Sequence, residues 1–251
     1  MPFNLIKKSI KMCIVNKPFF AFLLVLLFIC NYLIDLTGST IVIPIIINIL
    51  IWGYGLQVTE VIINGGTRLP KILPRKVLVY GLKGYFVAFF YYTIVQGLLL
   101  VFISEILGFP VFEIEELVLN YQETIHLFFA HNPVSWAIFI ISGVVIVYFT
   151  AFFMELAMAR LADGGKVKNA FNFPRIKRAI DIIGWKNYVI DYTKIIVSIL
   201  ILMYLMQFEF SIEIVDTIVD TIGYFLIFII EFVGVGHIYK VYIDNKTKTQ
   251  N

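Results

Sequence analysis

Residues 134–178 read VSWAIFIISGVVIVYFTAFFMELAMARLADGGKVKNAFNFPRIKR, an apolar run followed by a basic segment. The apolar part, Val134–Leu156, is long enough to cross a hydrocarbon core about 30 Å thick, because a helix rises about 1.5 Å per residue. The part after it contains Gly164-Gly165 and then several lysine and arginine residues. This order predicts a transmembrane helix that ends at a basic membrane boundary.

Five further apolar runs of similar length flank this stretch. They are Pro18–Ile34, Ile41–Gln57, Tyr85–Ile106, Val189–Phe208 and Ile218–Tyr239. The chain is 60% hydrophobic and 15% charged, with a mean hydropathy of +0.90. A water-soluble fold of 251 residues cannot bury so much apolar surface, whereas a bilayer removes the need to bury it. The sequence therefore predicts an all-α membrane protein with six transmembrane helices in a single domain, 1–251.

The placement of the basic residues predicts the orientation in the membrane. All 20 lysines and arginines lie before the first run, between the second and third, between the fourth run and the inner end of the fifth, or after the sixth. The other three loops carry only acidic charges. Positive residues are retained on the cytoplasmic side during insertion, so each loop predicts the same topology. We expect a multi-pass protein of the cytoplasmic membrane with both termini in the cytoplasm.

Two segments between the crossings have the periodicity of amphipathic helices. Glu113–Phe129 predicts an acidic interfacial helix or lid on the outer side. Phe173–Trp185 predicts a basic interfacial helix, with Pro174 in its first turn and with an apolar face, including Ile176, turned toward lipid. The residues expected to contact anionic lipid headgroups on the cytoplasmic side are Arg75, Lys76, Arg175, Lys177 and Arg178.

The two large basic loops resemble each other. Asn64–Tyr85 reads NGGTRLPKILPRKVLVYGLKGY, and Asp163–Tyr188 reads DGGKVKNAFNFPRIKRAIDIIGWKNY. With a fainter copy at the chain start, they predict three tandem hairpin repeats, about 1–66, 67–165 and 166–245, related by an axis near the membrane normal. We interpret the Gly-Gly pairs as helix C-caps, with a phosphate cradle as the alternative.

These segments resemble the signature regions of a membrane protein family called domain of unknown function 4013, found in archaea and some bacteria. The matching pieces are GYGLQVTEVIINGGTRLP and YGLKGY in the first half of the chain, and ARLADGGKVKNAFNF, RIKRAI and GWKNY in the second. The segment Lys71–Arg75 stands where the family usually has an acidic and aromatic patch. The resemblance covers nearly the whole chain and implies a six-helix membrane protein. It implies no activity.

Acidic residues inside apolar runs are costly in a bilayer and are therefore candidates for function. The candidates for lining a cytoplasm-facing cavity are Glu60, Glu155, Asp191 and Glu231. The alternative is that these acids pair with lysines and arginines at the membrane boundary and only fix the register of the helices. Asp191 and Lys194 are three residues apart, so we expect them to pair with each other.

The sequence contains no recognisable catalytic or metal-binding set. No Ser-His-Asp or Cys-His arrangement is apparent, and His126 and His131 are five residues apart, which does not place them on one helix face. We therefore expect no enzymatic activity, no metal, no cofactor and no nucleic-acid partner. Membrane lipids are the expected partners.

Three functions remain open. The first is a protein that organises the membrane, or anchors an unidentified protein partner, through basic interfacial helices. The alternative is a small-solute transporter or channel-like protein with a cytoplasm-facing acidic cavity. The third, a lipid-modifying enzyme, lacks a recognisable nucleophile or base. A water-accessible acidic cavity favours the transporter, and a dry centre filled with apolar side chains favours the first function.

Overall fold

The computed structural model describes residues 2–15, 17–37, 42–97, 101, 133–207 and 213–250. Every regular element within these residues is helical. The helices are α1 (Pro2–Ile14), α2 (Lys17–Thr37), α3 (Val42–Ile63), α4 (Pro74–Phe89), α5 (Pro133–Ala162), α6 (Val167–Ala170), α7 (Phe173–Ile183), α8 (Trp185–Leu205) and α9 (Glu213–Gln250). A π-helical segment, Phe90–Gln96, continues α4. The prediction of an all-α fold is confirmed for these residues.

Four helices in the described part of the chain are long and apolar enough to cross a membrane. Their spanning segments are Ile45–Ile63 in α3, Ile141–Ala162 in α5, Trp185–Leu205 in α8 and Val215–Lys248 in α9. The helices α1 and α2 add a fifth if they count as one span, with a bend of 98° between them. The chain therefore has the helices of a membrane protein.

Two predicted segments fall beyond what the structure describes. The third predicted crossing, Tyr85–Ile106, is described only as far as residue 97 and at residue 101. The predicted outer helix, Glu113–Phe129, lies wholly outside the described residues, as do His126 and His131.

The chain forms two compact units, Met1–Tyr85 with Glu155–Asn251, and Phe86–Met154. In the first unit α9 is the central helix and packs against α1, α2, α3, α7 and α8. In the second unit aromatic side chains of α5 pack on one another. The ring centroids of Tyr148 and Phe152 are 6.0 Å apart, and those of Phe152 and Phe153 are 5.3 Å apart.

Glycines bring the backbones of α3 and α4 into contact. A Cβ atom on Gly53 would lie 1.9 Å from the carbonyl oxygen of Val77, and one on Gly81 would lie 2.0 Å from that of Ile49. Small residues are the usual means by which apolar helices approach this closely, because lipid tails provide no hydrophobic force between helices. The two glycines therefore fix α4 against α3.

The helices α3 and α9 run in the same direction. Gly55 lies against the Phe232 ring, and Gly236 lies against Ile62, so the residue numbers of both helices rise together along the contact. The Thr59 hydroxyl of α3 donates a hydrogen bond to the Phe232 carbonyl at 3.0 Å, within the same contact.

The last part of α5 is parallel to α9 as well. Glu155 interacts with Glu231, and Tyr239 interacts with Asp163, the residue that follows α5. The difference between the two residue numbers is the same in both pairs, as it must be when two helices are parallel. The C-terminal ends of α3 and α5 therefore lie at one end of the first unit, which we call the basic end.

The helix α7 forms where the sequence predicts it, but its apolar face is not free. The Asn172 side chain accepts a hydrogen bond from the Arg175 backbone N–H at 3.1 Å, and Pro174 occupies the first turn. Ile176 and Ile180 are fully buried, because α7 packs against α8 and α9. The interpretation of Ile176 as part of a lipid-facing surface is therefore wrong. The periodicity identified an apolar face, and the first unit itself covers it.

Candidate functional site

The helices α3 and α5 reach the basic end in the same way. Gly65 and Gly164 adopt left-handed φ angles of 82° and 77°, which favour glycine. The following N–H groups then fold back. That of Gly66 donates to the Val61 carbonyl at 2.7 Å, and that of Gly165 donates to the Arg160 carbonyl at 2.9 Å. This is the Schellman pattern, so the interpretation of both Gly-Gly pairs as helix C-caps is confirmed.

A first cavity of about 370 Å³ lies beside the end of α3, and we call it the Glu60 cavity. The Lys76 ammonium group, at the start of α4, lies 2.6 Å from a Glu60 carboxylate oxygen. The same ammonium group lies 5.4 Å from the centre of the Tyr80 ring. Glu60, a predicted cavity acid, thus lines a cavity, and its charge is neutralised there by Lys76.

The loop after α3 is held over the Glu60 cavity by α3 itself. The Tyr54 hydroxyl donates to the Pro70 carbonyl at 3.1 Å, and the Gln57 amide donates to the Lys71 carbonyl at 2.9 Å. Two hydrogen bonds to successive carbonyls fix the backbone of this loop. The wall of the cavity is therefore built before any ligand arrives.

Tyr80 connects the first cavity to the end of α5. Its hydroxyl donates to the Ala162 carbonyl at 3.3 Å. Burial raises the pKa of Tyr80 to about 12, and the neighbouring Glu60 carboxylate adds to the rise. The hydroxyl consequently stays protonated at any physiological pH and remains a donor.

A second cavity of about 440 Å³ lies beside the end of α5, and we call it the Arg160 cavity. The polar side chains that line it include Arg160, Asp163, Asn169, Tyr239, Tyr242 and Lys246. The Tyr239 hydroxyl donates to an Asp163 carboxylate oxygen at 3.2 Å. Nη1 of Arg160 is buried, and no atom of the described residues accepts a hydrogen bond from it. Within the part of the chain that the structure describes, this lining cation also forms no ion pair.

Glu155 and Glu231 meet on the parallel helices α5 and α9, within the spanning segments. Their carboxyl groups are close enough to interact, and Glu155 is only 5% exposed. Fully buried apolar residues surround them along the same helices, among them Leu156, Met158, Ile229 and Ile230.

The four predicted cavity acids therefore fall into three separate arrangements. Glu155 pairs with Glu231, Glu60 pairs with Lys76, and Asp191 pairs with Lys194. The expected pairing of Asp191 with Lys194 is confirmed. Glu60 and Asp191 match the alternative in which boundary lysines neutralise the acids.

The predicted headgroup contacts also differ in their surroundings. Arg75, Lys177 and Arg178 are exposed. Arg175 is exposed too, and its guanidinium group donates to the Asn169 side chain at 3.1 Å. Lys76 is the exception, because Glu60 holds it beside the Glu60 cavity.

Sequence reasoning missed the tyrosines Tyr80 and Tyr239 and the contact between Glu155 and Glu231. The sequence contains one signal for the parallel packing. Glu155 precedes Asp163 by eight residues, and Glu231 precedes Tyr239 by eight residues, so both pairs can meet if the two helices run in the same direction. In the described part of the chain, no group of three or more His, Cys, Asp or Glu side chains is arranged to hold a metal ion.

Comparison with known proteins places most of the chain in one group. A family model described as Protein of unknown function (DUF4013) matches residues 36–212. The matched region includes both Gly-Gly ends and α7, and it stops just before α9. No curated protein and no solved structure matches the chain. The resemblance seen in the sequence motifs is thereby confirmed.

Proposed function

We propose a function for this chain, which belongs to the family described as Protein of unknown function (DUF4013), from the arrangement of its own helices. The protein binds anionic lipid headgroups at the cytoplasmic face of the membrane through its basic helices. In this way it organises the membrane or anchors a protein partner there, without catalysis. The proposal rests on one observation: α7 exposes its basic face while its apolar face is buried.

The proposal includes a six-crossing topology with both termini in the cytoplasm of a multi-pass protein. The sorting of the 20 basic residues supports it, since 19 lie in four of the seven segments outside the apolar runs and Lys194 lies at the inner end of the fifth run. The parallel directions of α3, the end of α5 and α9 support it as well, since these are the second helices of the three proposed hairpins. Parallel second helices are also what repeats related by an axis near the membrane normal require.

The exposed side of α7 is suited to an anionic surface because the helix is held in place. Ile176 and Ile180 are buried in the first unit, while Lys177 and Arg178 point away from it. A lysine or arginine close to an anionic leaflet gains about 1 kcal/mol at low salt. Lys177 and Arg178 together therefore contribute about 2 kcal/mol, and salt screens part of this.

The test measures lipid selectivity of the full-length chain in bilayer nanodiscs. Spin-labelled phosphatidylglycerol and spin-labelled phosphatidylcholine are compared for the fraction immobilised by the protein. We expect the wild type to prefer the anionic lipid and the double variant Lys177→Gln/Arg178→Gln to lose this preference several-fold. Arg175 is left unchanged because Asn169 holds it.

The matched control is the charge-conserving double variant Lys177→Arg/Arg178→Lys, which should retain the selectivity. Raising the salt concentration should reduce the preference of the wild type toward that of the neutralised variant. Equal immobilisation of both lipids by the wild type would count decisively against headgroup binding by α7.

The second candidate function is transport coupled to protons, and the contact between Glu155 and Glu231 favours it. Two interacting carboxyl groups inside spanning segments can hold and release a proton between them. The surrounding side chains are apolar and closely packed, which supports the first function more than this one. Proteoliposomes with an internal pH-sensitive dye distinguish the two. A proton flux that disappears in both Glu155→Gln and Glu231→Gln would establish transport, and no flux in the wild type would exclude proton coupling.

A further inference from the structure

The wall of the Arg160 cavity includes a cation without a matching acid. Nη1 of Arg160 is shielded from solvent, and no atom of the described residues accepts a hydrogen bond from it. A buried polar group without a partner costs free energy, more so when it is charged. Nη1 itself is out of reach of a ligand, but Arg160 as a whole is only partly buried and lines the cavity, so an anion there can pair with the remaining N–H groups of its guanidinium.

The other polar groups of the cavity indicate the charge of that ligand. Lys246 is exposed at the wall, with its ammonium group 5.9 Å from the centre of the Tyr242 ring. Among the described residues that line the wall, Asp163 is the only acidic side chain, and the Tyr239 hydroxyl donates to one of its oxygens. The lining therefore carries two positive charges, on Arg160 and Lys246, and one negative charge, on Asp163, so its net charge is positive.

The neighbouring residues add to this positive potential and supply a further donor. The Asn169 side-chain oxygen accepts from Arg175 at 3.1 Å, which leaves the amide nitrogen of this lining residue as a donor. Lys166 and Lys168 flank the lining residues along the chain and are exposed. A guanidinium group with nearby ammonium and amide donors suits a tetrahedral anion with several acceptor oxygens.

We propose that the Arg160 cavity binds a phosphate group, with Arg160 and Lys246 as the charged ligands and Asn169 as a neutral donor. Its volume of about 440 Å³ holds a phosphate together with a small substituent such as glycerol. The phosphate belongs either to a lipid headgroup or to a soluble phosphate compound. This site is distinct from the exposed surface of α7 and goes beyond the function proposed above.

The experiment titrates the full-length protein in a neutral detergent with two probes, inorganic phosphate and short-chain phosphatidylglycerol, and follows heat or intrinsic tryptophan fluorescence. We expect saturable binding with one site for each chain. Arg160→Gln should weaken it about tenfold or more, since a charged hydrogen-bond partner is lost, and Lys246→Gln should weaken it several-fold. Saturation by phosphate identifies a soluble source, and saturation by the lipid alone identifies a headgroup.

The matched control is Lys248→Gln, which removes an exposed lysine of the same helix outside the cavity and should leave the affinity unchanged. If Arg160→Gln loses its cooperative thermal transition, the exposed Lys246 decides the outcome. The variant Lys177→Gln/Arg178→Gln should bind the probes as the wild type does, which separates this site from α7. The inference is overturned if neither probe saturates, or if Lys246→Gln and a folded Arg160→Gln bind as tightly as the wild type.

Discussion

The two Gly-Gly ends, 64–66 and 163–165, share one backbone conformation and differ in how their charges are satisfied. At the first end, Lys76 and Glu60 neutralise each other across α3 and α4. At the second end, a buried nitrogen of Arg160 finds no hydrogen-bond partner among the described residues. Local sequence therefore repeats the cap, while the neighbouring helix decides whether the adjacent cavity is neutral or positive. With the phosphate site proposed above, two loops of similar sequence would be structural at the first end and ligand-binding at the second.

The largest expected effect concerns the side of the membrane on which the two ends lie. Single cysteines at Thr67 and Lys166, both exposed, are introduced after Cys13 and Cys30 are replaced by alanine. Neither cysteine should react with an impermeant thiol reagent added to whole cells, because the basic loops are proposed to be cytoplasmic. A cysteine at Ser211, in a loop that the charge pattern predicts to be outside, and one at Ser104, near the predicted outer end of the third crossing, serve as positive controls. If only one of these two cysteines is labelled from outside, the two ends lie on opposite sides of the membrane and cannot be compared as equivalent.

Substitution of the second glycine tests whether the two caps are equivalent. A Cβ atom on Gly66 would lie 2.9 Å from the Val61 carbonyl oxygen, and one on Gly165 would lie 2.3 Å from that of Arg160. Gly66→Val and Gly165→Val should each destabilise the protein by about 2 kcal/mol or more, because the cap must open. Thermal unfolding in detergent measures the loss. Gly143→Ala is the control, since a Cβ atom there meets nothing within 4 Å. If Gly165→Val unfolds at the same temperature as the wild type, the cap is dispensable.

The charge difference between the ends predicts different costs for removing each cation. Lys76→Met leaves Glu60 unpaired in a partly buried site, with side chains 35% and 23% exposed, so we expect a loss of about 1–2 kcal/mol. Arg160→Gln removes no ion pair and should cost less than about 1 kcal/mol in the absence of ligand. A double-mutant cycle with Glu60→Gln isolates the pairing of Glu60 with Lys76. Equal losses for both cations would mean that Arg160 is paired in solution.

The smallest effects are expected from the two tyrosines that connect the end of α5 to its neighbours. Tyr80→Phe removes the hydrogen bond to the Ala162 carbonyl, and Tyr239→Phe removes that to Asp163. Each should cost about 1 kcal/mol, the usual net value of a neutral or partly exposed hydrogen bond. In the phosphate titration, Tyr239→Phe should weaken binding slightly, because the Asp163 carboxylate loses a donor and repels the anion more strongly. If Tyr80→Phe loses more stability than Lys76→Met, the hydrogen bond of Tyr80 matters more at the first end than the ion pair of Lys76.

The features that the sequence predicted correctly depend on short segments of chain. The two Gly-Gly caps need only a helix that ends at a glycine with positive φ, and the Asp191–Lys194 contact needs only a helical spacing of three. The start of α7 follows from Asn172 and Pro174 in the same way. Each of these rests on geometry that neighbouring residues define among themselves, so no tertiary contact has to be known.

The contacts that the sequence did not predict join residues far apart in the chain. Glu155 and Glu231 meet because α5 and α9 are parallel and turned toward each other, and Glu60 meets Lys76 because two glycines bring α4 against α3. The rotation of each helix is set by side-chain packing on its neighbours. A list of acids inside apolar runs cannot show which of them share a partner.

Composition, hydropathy and the caps, read from the sequence alone, determined that this is an all-α membrane protein of the family to which its motifs point. Only the tertiary structure decided where the apolar face of α7 goes and which cations remain unpaired. The physical reason is that an apolar face is satisfied equally by lipid tails and by a packed protein interior. The sequence pattern is the same in both cases. The arrangement of α8 and α9 around Ile176 determines which one the helix finds.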